Sequence, residues 1–285
     1  MAWSTASGRQ EVEAALRRAA GESDANLDVA GTALLFAALD RPQEDLAPYR
    51  RHLQRLADDS AELAEALGAE ESLPDRVAVL RGVLVERHGY LGDEADYDNL
   101  DNADLPRVID RRRGLPVALG ILYLHCARSR GWDAAGLAFP GHFLLRLALG
   151  GERVIIDPFN GGETREAADL RRLLKAAAGR DAELAPAHFE PVGSRDILLR
   201  LQNNIKIRRL RAGQKQKALQ TMEAMLMLAP ATPSLWREAG LLHAQLGNLR
   251  AALLALDNVL ELVPSVDPLH REAVQTMAAI RARLN

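Results

Sequence analysis

Apolar residues recur at helical spacing over most of the chain and break into short strand-like runs in only one central stretch. A short helical pattern runs from Gln10 to Ala20, after a start expected to be frayed. From Leu27 to Leu39 apolar residues are so dense that a helix there must bury most of its surface. Pro42 separates it from an amphipathic segment, Leu46 to Leu67, with Leu53, Leu56, Ala57, Leu63 and Leu67 near helical spacing. Pro74 precedes another helix, Arg76 to Glu86. The first 88 residues therefore read as a helical scaffold. Next come a polar loop, Gly89 to Asn102, and a short helix, Leu105 to Asp110. The stretch Arg113–Gly162 organises the rest. Pro116 suits the first turn of a helix and Gly131 its stop. The largely apolar residues between predict a buried helix of about four turns. A strand is expected from His142 to Leu149, a two-residue turn at Gly150-Gly151, and a second strand from Arg153 to Asp157. Pro158 and Gly161-Gly162 then break the pattern. A charged helix, Ala167 to Ala178, ends at Gly179. Residues 181–194, with Pro186, Pro191 and Gly193, read as a linker.

The C-terminal third carries an internal repeat. Gly213, Ala218, Leu219 and Pro230 recur 34 residues later as Gly247, Ala252, Leu253 and Pro264. That is the tetratricopeptide (TPR) period. The second unit adds Trp236, Gly240 and Leu256, although His243 stands where a larger residue is usual. The first unit is weaker, with Gln202 and Lys206 at the Trp and Gly positions. Asp267 to Leu284 reads as a capping helix, with Leu269, Ala273, Met277 and Ile280 near one face. Helical spacing assigns Met222, Met225 and Met227 to the core in preference to an adaptable binding surface.

Candidate chemistry lies in the central hairpin. A turn at Gly150-Gly151 sets Leu149 opposite Glu152 and position 142 opposite 159. His142 and Asp157 then become diagonal neighbours on one face, within reach of an imidazole–carboxylate bond. A His beside an Asp, near a helix start, is the frame of a Cys-His-Asp site. Arg111-Arg112-Arg113, just before that helix, could clamp an anion or pair with Asp104, Asp110 and the acidic loop. The loop's carboxylates do not follow the twelve-residue Ca²⁺ pattern. Asn160-Gly161-Gly162-Glu163 is a turn, since no phosphate-loop Lys-Ser/Thr pair follows. No metal and no cofactor is expected.

Three phrases are long enough to carry a resemblance: Arg112-Arg113-Gly114-Leu115-Pro116, Phe139-Pro140-Gly141-His142-Phe143-Leu144-Leu145-Arg146, and Ile156-Asp157-Pro158-Phe159-Asn160-Gly161-Gly162. They resemble the bacterial SirB-type proteins, which join a transglutaminase-like domain of papain-related fold to TPR repeats. The resemblance runs from about residue 27 to about 265. It implies that the acidic, aromatic loop packs near the pseudo-active face. In active transglutaminase-like enzymes the nucleophilic Cys begins the helix, two residues after a Gly. Here Gly114 is followed at that distance by Pro116, which cannot be a nucleophile. No Ser, Thr or Cys occurs from Leu73 to His125. The sole cysteine, Cys126, lies about 15 Å further along the helix and reads as a small buried hydrophobe. The resemblance thus implies the fold without its covalent chemistry.

Composition adds limits. The 285 residues suggest two domains. A net charge of -3 gives no reason to expect nucleic acid. One cysteine fits a reducing compartment. Met1 to Gln10 lacks a secretory pattern, and no apolar run approaches a membrane span. A cytoplasmic protein is expected, with no membrane partner.

The expected fold is α+β. A helical portion, 1–88, joins a transglutaminase-like helix-on-antiparallel-sheet core, 89–194. TPR hairpins 197–230 and 231–264 and a cap complete 195–285. The expected function is a non-catalytic protein-interaction or regulatory module, with protein partners on the TPR helices or the pseudo-active cleft. The candidate binding residues are Arg113, Asn160, Arg200, Asn203, Lys206 and Arg237. The alternative is a cysteine-independent hydrolase or transferase on amide or peptide substrates, using His142 and Asp157.

Overall fold

The computed structural model describes residues 5–283. Chain contacts divide it into two compact units. One is Ser23–Leu201; the other joins the first helix, α1 (Thr5–Ala20), to the chain from Gln202 onward. The sequence led us to expect α1 within an N-terminal scaffold. Instead it packs on a helix of the C-terminal unit, and its Leu16 is fully buried. The expected frayed start falls partly on residues 1–4, outside the described residues.

The unit Ser23–Leu201 begins with α2 (Val29–Asp40), α3 (Ala47–Leu67) and α4 (Leu73–Arg81), which continues as a π-helical turn, Gly82–Arg87. The Asp28 side chain accepts from Gly31 N at the start of α2, and Ser72 caps α4 with Pro74 in its first turn. After β1 (Leu91–Gly92), Asp104 caps α5 (Leu105–Arg111), and β2 (Arg113–Gly114) pairs parallel with β1. Helix α6 (Pro116–Ser129) is the core: Pro116 to Leu124, Cys126 and Ala127 are all buried. Its end is a Schellman motif. Gly131 (φ 70°) takes the left-handed position, Gly131 N donates to Arg128 O, and Trp132 N donates to Ala127 O.

Against α6 lies a sheet of order β6-β5-β4-β3-β7, antiparallel throughout: β3 (Asp133–Leu137), β4 (Leu145–Leu149), β5 (Glu152–Asp157), β6 (Glu163–Thr164) and β7 (Pro191–Val192). Leu149 faces Glu152 and Leu145 faces Ile156, the register that a two-residue turn at Gly150-Gly151 demands. Alternation puts Leu145, Leu147 and Ile156 on one face and Arg146 and Ile155 on the other. The second face is covered by α7 (Ala167–Ala178), whose Leu170 and Leu174 pack with Leu137, Phe139, Leu144 and Ile155.

Three expectations are corrected here. The strand anticipated from His142 starts only at Leu145. The stretch 133–137 forms β3, although its small residues gave no strand signal. The linker 181–194 contains β7, which closes the sheet edge beside β3.

Helix α8 (Ser194–Arg211) gives its first part to this unit and its second part to the other. There it is followed by α9 (Lys215–Leu228), α10 (Pro233–Gln245), α11 (Leu249–Leu262) and the capping helix α12 (Pro268–Ala282). The end expected for that cap, Leu284, is outside the described residues. Gly213 and Gly247 take positive φ in the inter-helix turns. At Gly240 a Cβ would stand 2.8 Å from Leu256 Cγ, so this position needs glycine for α10 to approach α11. Ala252, Leu256, Val259, Ala273, Met277 and Ile280 form the core of the second repeat and its cap. Met222 and Met225 are buried as expected, but Met227 lines a groove between α1, α9, α10 and α11.

Candidate functional site

Asp157 ends β5 and is fully buried. Buried carboxylates persist only when their lone pairs are occupied, and here they are. Oδ1 accepts from His142 Nε2 at 2.8 Å and from the backbone N–H groups of Phe159 and Asn160 at 3.1 and 3.4 Å. Oδ2 accepts from Asn160 Nδ2 at 2.8 Å and Arg165 Nε at 3.0 Å. Burial pushes the carboxyl group up, but hydrogen bonding and charge from His142, with Asn160 and Arg165, outweigh it and hold the group below the usual carboxylate range.

His142 reaches Asp157 from an irregular segment. Gly141 (φ 70°) turns the chain so closely that a Cβ there would lie 2.4 Å from Ala177 Cβ. Leu144 O then accepts from Leu137 N, tying the segment to β3. Arg200 holds it from α8: its Nη2 donates to His142 O at 2.7 Å and to Phe139 O at 3.3 Å, and its guanidinium lies over the Phe143 ring. Nε2 of His142 is committed to Asp157. Nδ1 has no protein partner among the described residues, and the side chain is 15% exposed. The Phe159 ring lies edge-on to the imidazole at 6.1 Å and to Tyr97 at 5.7 Å. Gly92 N donates to Phe159 O, and a Cβ on Gly92 would strike the Phe159 ring at 2.6 Å. The acidic, aromatic loop thus packs on the residue flanking His142.

Pro116 occupies the first turn of α6 and is buried. The residue before a proline is driven to extended backbone, and Leu115 is (φ -70°, ψ 159°). Cys126 is fully buried, and burial pushes its thiol up to about 12.

The arginine run is divided among three tasks. Arg111 Nη2 donates to Asp93 Oδ2 at 2.8 Å and Nη1 to Asn102 Oδ1 at 2.9 Å, pinning the acidic loop. Arg112 turns toward His52 and Tyr90. Arg113 donates to the carbonyls of Gly89 and Arg112. Asp104 and Asp110, expected as partners, instead meet Arg41 and Arg107. The other binding candidates do not converge. Asn160 and Arg200 serve the His142 site internally. Asn203, Lys206 and Arg237 belong to the C-terminal unit, where Lys206 pairs with Glu238 and Arg237 with Glu272. Sequence reading missed the role of Arg165 and a second His–carboxylate pair, His88 Nε2 to Asp59 Oδ2 at 2.6 Å. Neither has a spacing signal, because each partner comes from a distant part of the chain or around a turn. Among the described residues, no group of three His, Cys, Asp or Glu side chains gathers to hold a metal ion.

The profile of the transglutaminase-like superfamily matches residues 47–203, more than half of the chain. The UPF0162 protein of Xylella fastidiosa (strain Temecula1) is 32% identical over 246 residues, 85% of this chain and 86% of that protein. The chain belongs to the SirB1/UPF0162 family of transglutaminase-like proteins. Protein SirB1 of Salmonella typhimurium is 29% identical over 87% of both chains, and the UPF0162 protein of Vibrio cholerae 32% over 84% of this chain and 87% of that one. A tetratricopeptide-repeat profile matches residues 205–285. Among solved structures, the crystal structure of menin superposes with a TM-score of 0.41 at 8% identity, covering 88% of this chain and 69% of that one, too distant to carry an argument. In this SirB1-type chain Asp157 ends a strand of the sheet, His142 meets it from the irregular segment before β4, and Pro116 begins the buried helix. Among its described residues no helix is long and apolar enough to cross a membrane.

Proposed function

We propose that this SirB1-type protein is a non-catalytic interaction or regulatory module of the cytoplasm, docking protein partners on its TPR helices and its pseudo-active cleft. The observation that carries the reading is Pro116: the helix start that would present a nucleophile carries a buried ring with neither thiol nor hydroxyl. The fivefold satisfaction of Asp157 supports a structural His–Asp bond. The groove on the TPR unit supports docking: about 550 Å³, it is lined by Leu226, Met227, Trp236, Ala239 and Leu254, with Arg17 and Glu223 among its polar residues.

A second reading keeps His142 as a general base for cysteine-independent hydrolysis or transfer on amides or peptides. It is favoured by the unpartnered, solvent-reaching Nδ1. The test assays wild type and His142→Gln side by side for amide hydrolysis, ester hydrolysis and transamidation. Neither is expected to exceed the buffer background. Turnover present in wild type and lost in a folded His142→Gln variant would overturn the non-catalytic reading.

A further inference from the structure

A cationic pocket opens where α3 meets the end of α5, within the unit Ser23–Leu201. Tyr49, Arg51, His52, Arg55, Asp110 and Arg112 line its predominantly polar walls, and its volume is about 370 Å³. Arg51 and Arg55 are four residues apart, so their side chains share one face of α3. Both are exposed, and neither has a hydrogen-bond or carboxylate partner among the described residues. That sets them apart from Arg41, Arg87, Arg111 and Arg130, each of which meets a carboxylate.

Arg112 is more unusual. Among the described residues it is the only non-glycine with positive φ, 57°. Such strain persists where surrounding structure enforces it, and it clusters at functional positions. The strained backbone delivers the guanidinium over the Tyr90 ring, 4.7 Å from its centroid, where Nη1 contacts His52 Nε2 at 2.8 Å and donates to the Tyr90 hydroxyl. Both partners are neutral. Among the described residues no carboxylate lies within hydrogen-bond distance of Arg112, so its charge is held in place without a directly bonded counter-charge. The single pocket carboxylate, Asp110, accepts from Tyr49 Oη at 3.0 Å and lies 3.6 Å from Arg107. Three guanidinium groups against one engaged carboxylate leave a positive excess. Its effect is visible on His52: burial, then the charges of Arg112, His88 and Arg55, push that imidazole down to about 4, so it stays neutral and can act as an acceptor for Arg112.

Like charges gathered without counter-charge are unfavourable in the empty protein and become favourable when an anion bridges them. We propose that this pocket binds a small phosphate-bearing anion, with Arg51 and Arg55 closing on a phosphoryl group that Arg112 anchors. Planar guanidinium forks match phosphoryl oxygens in pairs. Three such forks exceed what one carboxylate can engage, and the polar walls suit a compact hydrophilic molecule. The site is separate from His142 and does not depend on whether that residue is catalytic.

The test is calorimetric titration of the full chain at about 50 mM salt, where screening is modest. Inorganic pyrophosphate and glycerol 3-phosphate are the probes, with citrate as the carboxylate comparison. Expected is saturable one-site binding of a phosphate probe. Arg51→Ala/Arg55→Ala should weaken it roughly tenfold or more, and Arg50→Ala, an exposed arginine of the same helix outside the pocket, should leave it unchanged. Arg51 and Arg55 are exposed and unpaired, so the double variant should keep the wild-type melting temperature. Failure of both phosphate probes to bind saturably would overturn the proposal. So would equal weakening by Arg50→Ala, which would indicate diffuse surface charge. Citrate binding as tightly as the phosphate probes would overturn the phosphate assignment.

Discussion

Replacing Asp157 with asparagine removes a buried charge on which five donors converge. The amide keeps one acceptor oxygen and turns an NH₂ group toward donors that expected a second. His142 loses its anchor, and Arg165 loses the nearer of two carboxylates while keeping Glu163 at 3.1 Å. Breaking a buried ion pair costs about 3–5 kcal/mol. The surviving Glu163 contact puts Asp157→Asn at the lower end, about 3 kcal/mol. For a cooperative unit of this size that is a fall in melting temperature of roughly 6–12 °C. His142→Gln removes one hydrogen bond from the same network and should cost about 1 kcal/mol. The sign with pH follows from the depressed carboxyl group. Its stabilisation is fully present above the unfolded value of 3.8 and is lost as the pH falls through the lower folded value. The deficit of Asp157→Asn should therefore be largest at neutral pH and shrink in acid. Urea denaturation of wild type, Asp157→Asn and His142→Gln at pH 7 and near pH 3 tests all of this. If Asp157→Asn unfolds within about 1 kcal/mol of wild type at pH 7, the network is not what holds this end of the sheet.

Other outcomes follow from single positions. A Cβ on Gly120 would stand 2.3 Å from the buried Phe143 ring. Gly120→Ala should cost about 1–3 kcal/mol through overpacking, despite alanine's better helix propensity, and Phe143→Leu should relieve part of the loss in a double-mutant cycle; a stabilised Gly120→Ala would show that the ring has room to move. Cys126 should resist iodoacetamide at pH 8 in the native protein and react after unfolding; prompt native labelling would contradict its burial. His52 lies at about 4 instead of its ordinary 6.5, a difference of about 3 kcal/mol. The unfolded chain takes up this proton more readily, so stability should be full above pH 6.5 and decline as the pH falls toward 4. A His52→Gln variant with the same slope in that window would exclude His52 as its source.

Local pattern was enough to determine most of the helices, the 34-residue repeat, the turn at Gly150-Gly151 and the identity of the His–Asp pair. Each of these depends on residues a few positions apart: proline and glycine at helix ends, glycines at a hairpin turn, a small residue where two helices cross. The register even brought position 142 toward 157, although the strand gives way before His142 and Gly141 turns the chain instead. What local pattern could not supply was the choice among partners. Arg111, Arg112 and Arg113 are identical in type and adjacent, yet one pins the acidic loop, one is strained against Tyr90 and His52, and one meets backbone carbonyls. Helix α1 reads like the helices after it, but its apolar face is buried in the C-terminal unit. Strand β3 is built from small residues with no propensity signal and exists because β4 and β7 lie on either side of it. These outcomes depend on which surfaces remain uncovered once the chain has folded. That is why the cationic pocket, assembled from arginines 51, 55 and 112, became visible only in three dimensions.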